Sequence, residues 1–266
     1  MSPATDIERL RRRIAVQERL SSLKRPIVTL GPDRLDAALP DGGLASGALH
    51  EIVPTTPRDF AAAAGFGFCL LARLARVRPG TVLWALPAYR SFHEGELYPL
   101  GLAALGFDPS RLVQIEVRKG SDILWALEEG LAHSALAAVI GVLPEGDRAY
   151  DFTASRRLAM RSAGQGVTAL ILHDRAHAGA TTAADTRWSV GLLPSVLSGG
   201  AEPGLGPPRW RLELTKSRRG RPGRWDVEWN HETLSFRLPA PLADRTPAWA
   251  HGAIDGQIDS HWAEAS

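Results

Sequence analysis

Between Ala48 and Leu172 the chain alternates short apolar runs with helix-forming segments, and this alternation restricts the fold more than any other feature. Residues 49–53, 81–86, 112–117, 137–143 and 167–172 read as strands, and residues 59–76, 97–105, 121–133 and 150–163 as the helices between them. Several of the runs are apolar on nearly every residue rather than on every second one. A strand of that kind must be covered on both faces, as in a parallel sheet whose crossover helices pack on its two sides. The spacing therefore predicts an α/β domain built on a mainly parallel sheet flanked by helices.

After His173 the pattern changes. Residues 187–192, 209–215, 224–230 and 233–238 are strand-like with turns between them, which predicts an antiparallel C-terminal extension of the sheet. The intervening stretch 198–208 is too rich in Gly and Pro for regular structure. Ahead of the domain, residues 5–23 read as a helix with Ile7, Leu10 and Ile14 at helical spacing, and Pro26 ends it. The expected organisation is a basic helical arm over residues 1–30, one domain over 31–239, and a mobile acidic tail over 240–266.

Net charge is only +2, with 44% hydrophobic and 23% charged residues, as in an ordinary globular protein. The cations are unevenly placed: they gather in the first 25 positions and again between Arg209 and Arg224. Local basic patches of this kind attract polyanions whatever the total charge. Cys69 is the only cysteine. It excludes an intrachain disulfide, sits in an apolar run, and fits a reducing compartment. The apolar runs are short of a bilayer span and no signal-peptide core is evident, so the expectation is a cytoplasmic protein with no membrane partner.

Leu35-Asp36-Ala37-Ala38-Leu39, Gly42-Gly43-Leu44, Gly47 and Leu49-His50-Glu51-Ile52 resemble the approach to the first core strand of RecA-family ATPases. Val82-Leu83-Trp84 and the segment from Leu105 to Leu112 resemble the second strand and the approach to the third. Within that superfamily the chain is most similar to the ImuA (inducible mutagenesis protein A) family. Leu49-His50-Glu51-Ile52, Val139-Ile140-Gly141, Arg156-Arg157-Leu158-Ala159, Thr186-Arg187-Trp188 and the run from Lys216 to Gly223 carry the likeness. The resemblance implies a RecA-like core and an accessory role in SOS-induced mutagenic translesion synthesis. It also implies an ImuB-like partner, a relative of Y-family polymerases, with RecA and DNA as further contacts. The competing readings are a SulA-like inhibitor of cell division and a divergent RecA-type ATPase.

Nucleotide hydrolysis in such a fold needs a phosphate cradle, a carboxylate for Mg²⁺ and a carboxylate for the attacking water. Where the cradle belongs the chain reads Val53-Pro54-Thr55-Thr56-Pro57-Arg58-Asp59, with no Gly-Lys-Ser/Thr, and the prolines lack N–H donors. Gly141 and Pro87-Ala88-Tyr89 stand where the two carboxylates belong, with Glu94 and Glu96 further along. The expectation is a protein without catalytic residues or cofactor.

The binding candidates are basic. Lys216, Arg218, Arg219, Arg221 and Arg224 surround the turn of a hairpin, with no acidic residue among them. Either the turn is merely solvated, or it binds a phosphate backbone or an acidic protein surface. Arg11, Arg12 and Arg13 make the arm a second candidate, for a partner or for DNA, against simple packing on the domain. His173 and His177 have the spacing of a zinc pair but no third ligand, so no metal is expected. Trp84 and Trp125 are expected in the core; Trp249 and Trp262 fall in the tail, as anchors for a partner or packed back on the domain.

Overall fold

The computed structural model describes Glu8 and residues 25–94, 96–175, 181–195 and 206–239. The arm with Arg11, Arg12 and Arg13, and the tail with Trp249 and Trp262, lie outside the described residues. In chain order the first elements are β1 (Ile27–Val28), α1 (Asp33–Asp36), β2 (Leu44–Ala45), β3 (Leu49–Pro54), α2 (Phe60–Val77), β4 (Thr81–Pro87) and α3 (Ala88–Glu94). Then come α4 (Pro99–Ala104), β5 (Leu112–Val117), α5 (Gly120–Gly130), β6 (Leu136–Leu143), α6 (Phe152–Gln165) and β7 (Thr168–His173). β8 (Thr186–Leu193), β9 (Arg209–Ser217), β10 (Gly223–Asn230) and β11 (Ser235–Arg237) follow.

β3 to β11 form one nine-stranded sheet in the order β11-β10-β9-β8-β3-β7-β6-β4-β5. β3 lies between β7 and β8, and β6 between β7 and β4, so both are interior strands, as the apolar runs require. The fold is α/β, with a mostly parallel sheet and antiparallel strands at its C-terminal end.

The antiparallel part starts one strand later than expected. β8 runs parallel to β3, and only β9 reverses. The reason lies in the connection before β8, where the Ala183 N–H donates to Ser155 Oγ of α6 at 2.9 Å. Ala183 thus lies against α6 just before β8 begins, and β8 starts from the same end of the sheet as β3.

Side chains alternate between two cores. Leu170 and Leu172 of β7 face α2, while Ala169 and Ile171 face α5 and α6. This is why the run is apolar throughout. The antiparallel strands curl around α2: the Phe66 ring lies 6.0 Å from Trp188, 6.2 Å from Trp210 and 5.4 Å from Phe236, centroid to centroid. Burying a ring of this size contributes about 1.5–3 kcal/mol. Pro57–Val77 is long and apolar enough to cross a membrane by length and composition, contrary to the expectation from the sequence. Here it serves as the central helix, wrapped by the sheet. Trp84 is buried and stacked on Phe68 at 4.9 Å. Trp125, expected in the core, is 67% exposed.

Candidate functional site

The turn between β3 and α2 is where a phosphate cradle would sit. The Thr56 N–H and hydroxyl donate to Asp59 Oδ2 at 2.9 and 2.7 Å, and the Leu192 N–H donates to Asp59 Oδ1 at 2.9 Å. A side-chain carboxylate thus takes the donors that an anionic ligand would need. Burial pulls the Asp59 pKa upward, but the Leu192 and Thr56 donors together outweigh it and the group is lowered. The carboxylate stays charged and repels a phosphate.

The neighbouring strand ends are also filled. Gly141 lies inside β6 rather than at its end, paired with Ala85 and Ile171. A Cβ there would come within 2.7 Å of Leu127 and 2.9 Å of Ile123, so close packing of α5 on the sheet requires glycine. Pro87 ends β4. Just beyond it, the Tyr89 hydroxyl donates to Asp174 at 2.9 Å, Arg90 ion-pairs with Asp174, and the Arg90 guanidinium lies 3.9 Å from the Phe60 ring centroid. Glu96 lines an apolar groove of about 580 Å³ between α2 and α4, which adjoins this edge through Phe60, Leu86 and Arg90 and is floored by Phe68 and Trp84.

The hairpin expected around the basic turn forms, with β9 and β10 paired antiparallel. Trp210, Leu212 and Leu214 of β9, and Val227 and Trp229 of β10, face the core. On the outer face, Arg211 pairs with Asp226 at 2.9 Å and Arg224 with Glu213 at 2.8 Å. The cations near the turn meet acids from remote segments: Arg218 lies 3.8 Å from Asp185, and Arg219 lies 3.9 Å from Asp41. Lys216 turns inward, donating to the Thr182 carbonyl and to Thr182 Oγ1 at 3.4 Å, and burial lowers its pKa. The ribbon's basic residues therefore divide. Arg218 and Arg219 project from the turn, Arg224 is tied to its own sheet, and Lys216 belongs to an internal network. Arg221 is anchored by its backbone, whose N–H donates to the Ala38 carbonyl at 2.9 Å.

That network centres on Glu51, fully buried in β3. Glu51 accepts from Tyr150 at 2.5 Å and pairs with Arg187, whose Nη2 donates to Thr182 at 3.2 Å. Burial pushes the Glu51 carboxyl up, but Arg187, His173 and Tyr150 together hold it below its ordinary value. One sign of this is legible in the sequence: a His-Glu pair inside an otherwise apolar strand. The ring of His173 packs edge-on against Tyr150, 5.9 Å away, and His177 lies outside the described residues. Among the described residues no group of His, Cys, Asp or Glu is arranged to hold a metal ion. Cys69 is buried, which raises its thiol pKa well above the ordinary value.

The second β3 polar residue, His50, is also buried, on the opposite face of the strand. Its Nε2 lies 2.8 Å from the Ala45 carbonyl, which only accepts, so that nitrogen carries the proton. Its Nδ1 lies 2.8 Å from Thr186 Oγ1, which in turn accepts from Trp188 Nε1 at 3.0 Å. With the proton on Nε2 and the ring neutral, Nδ1 accepts and the Thr186 hydroxyl donates to it. Burial favours that neutral imidazole by lowering the His50 pKa, and the two hydrogen bonds accommodate it.

No family model matches the chain. Comparison with curated proteins does find relatives: Protein ImuA of Caulobacter vibrioides, strain NA1000 / CB15N, is 33% identical over 242 residues. The match covers 85% of this chain and 93% of that protein. Protein ImuA of strain ATCC 19089 / CIP 103742 / CB 15 matches with the same identity and coverage. At that identity, over nearly the whole length of both proteins, the chain belongs to the ImuA family.

Proposed function

We propose that the protein is a non-catalytic adaptor in a damage-induced mutagenesis system, acting with an ImuB-type relative of Y-family polymerases during translesion synthesis. Family membership supports the link to the ImuA/ImuB system. The non-catalytic part rests on one observation above all: after the first core strand, the Thr56 N–H and hydroxyl, with the Leu192 N–H of β8, donate to Asp59. A phosphoryl-transfer site must offer such donors to the nucleotide. The protein is then a RecA-like frame used as a docking body, with the basic ribbon as one of its contact faces. A single buried thiol fits work in the cytoplasm.

The test is genetic and direct. In a strain lacking its own ImuA-family gene, the intact protein should restore damage-induced mutant frequency, and Asp59→Ala should restore it equally well provided it folds. Failure of the intact protein, expressed at normal level beside its cognate partner, would refute the role in mutagenesis. Loss of function in Asp59→Ala with an intact melt would refute the structural role given to Asp59.

A further inference from the structure

The turn of the ribbon is one wall of a cavity whose other walls come from distant parts of the chain. Arg25, Arg218 and Arg219 line it, with His50, Asp41 and Asp185. Three guanidinium groups thus face two carboxylates across a ring whose imidazole is neutral. The surplus is one positive charge.

The arginines are aimed by the acids without being used up. Arg25 reaches Asp185 at 3.3 Å, but Arg218 and Arg219 approach Asp185 and Asp41 only to 3.8 and 3.9 Å. Those two separations exceed hydrogen-bond range, so the planar N–H forks keep donors for another acceptor. Their side chains are 59% and 47% exposed.

The turn itself is fixed. The Arg218 N–H donates to the Asp185 carbonyl at 2.9 Å, and the Arg221 N–H to the Ala38 carbonyl at 2.9 Å. A Cβ on Gly220 would lie 2.2 Å from the Ala38 oxygen, so the backbone rests directly on the domain. Cations held in place before a ligand arrives lose less entropy on binding it. The cavity measures about 20 Å³. That is room for about one water-sized group, enough for a phosphate oxygen and too little for a nucleobase.

We propose that this cavity is a phosphate site for the sugar–phosphate backbone of a nucleic acid, with Arg25, Arg218 and Arg219 as its donors. The assignment rests on the reading of the ribbon as a contact face and names that face's ligand. Arg25 is the informative residue, because it lies outside the ribbon and joins it only through the fold.

The experiment measures binding of labelled single-stranded and duplex oligonucleotides across a salt series. It uses the intact protein, Arg25→Ala, and the double variant Arg218→Ala/Arg219→Ala, each checked for an unchanged melt. Arg25→Ala should weaken binding about tenfold and lower the salt slope by about 0.9 on duplex or about 0.7 on single strands. The double variant should lose about twice that slope. If Arg25→Ala does not fold, Arg218→Glu, at an exposed turn position, takes its place and should cost at least as much affinity. Free ligands separate the sources of phosphate: ATP should compete no better than inorganic tripolyphosphate. An unchanged affinity and slope in Arg25→Ala or its substitute, no oligonucleotide binding by the intact protein in about 50 mM salt, or ATP competing far better than tripolyphosphate would each overturn the assignment. Binding of the polymerase relative to the same proteins keeps the two readings apart. If the variants lose the partner but keep the oligonucleotide, the phosphate site fails and the adaptor stands. If the intact protein ignores the partner while the oligonucleotide results come out as expected, the adaptor fails and the phosphate site stands.

Discussion

Single residues in β3 show how a polar group survives in an apolar strand. His50 is held neutral, as Nδ1 accepts and Nε2 donates. Its folded pKa lies below its unfolded value. Such a group favours folding above the unfolded pKa, about 6.5, and that stability is lost as pH falls towards the folded pKa. Urea melts should therefore show stability declining below about pH 6.5, and His50→Gln should remove this part of the slope. An unchanged slope in the variant would mean that His50 is not the group titrating. Glu51 carries the larger energy. Removing one partner of a buried ion pair costs about 3–5 kcal/mol, so Arg187→Ala should lose that much in equilibrium unfolding. A loss below about 1 kcal/mol would place the pair with exposed ones. Neither partner assignment was legible in the sequence, because Glu51 and Arg187 are 136 positions apart. Asp41 and Asp185 were hidden from the reading of the ribbon for the same reason.

Elements were far more legible than contacts. The apolar runs located β3, β4, β6 and β7 because a doubly covered strand needs no knowledge of its neighbours to be recognised, whereas β5, at the sheet edge and without a buried residue, was legible only from its place between helices. α3 was missed: it follows Pro87 directly and its seven residues carry no repeated apolar stripe. Trp125 was misplaced for a geometrical reason. Ile123, Leu124 and Leu127 of α5 are buried, and the helix turns about 100° from Leu124 to the next residue, which puts Trp125 on the outer rim. Gly141 tests the packing of α5 on the sheet. Gly141→Asp puts a carboxylate where the sequence alone would look for a metal ligand, yet its Cβ meets Leu127 and Ile123. It should destabilise the fold by at least about 1–3 kcal/mol and yield no ATP turnover. A variant as stable as the original in a thermal melt would show that α5 sits more loosely than described.

At the scale of the whole molecule, the carboxyl ends of the central parallel strands are tied by side chains, and the basic turn lies elsewhere. Asp59 fills the turn after β3, and Tyr89, Arg90 and Asp174 tie the next strand ends together. The basic turn and Arg25 lie at the other end of the strands, beside the start of β8. Contact without turnover is the role we propose for this division. The overall α/β class could be read from periodicity alone, whereas the side-chain ties at the strand ends required distances. The most direct measurement is the equilibrium affinity of the purified protein for its ImuB-type partner, taken with and without Mg-ATP while phosphate release is followed. The expected result is a complex whose affinity is the same in both conditions, with phosphate release no higher than the buffer background. A complex that forms only with ATP, or turnover that Asp59→Ala abolishes in a folded protein, would contradict it.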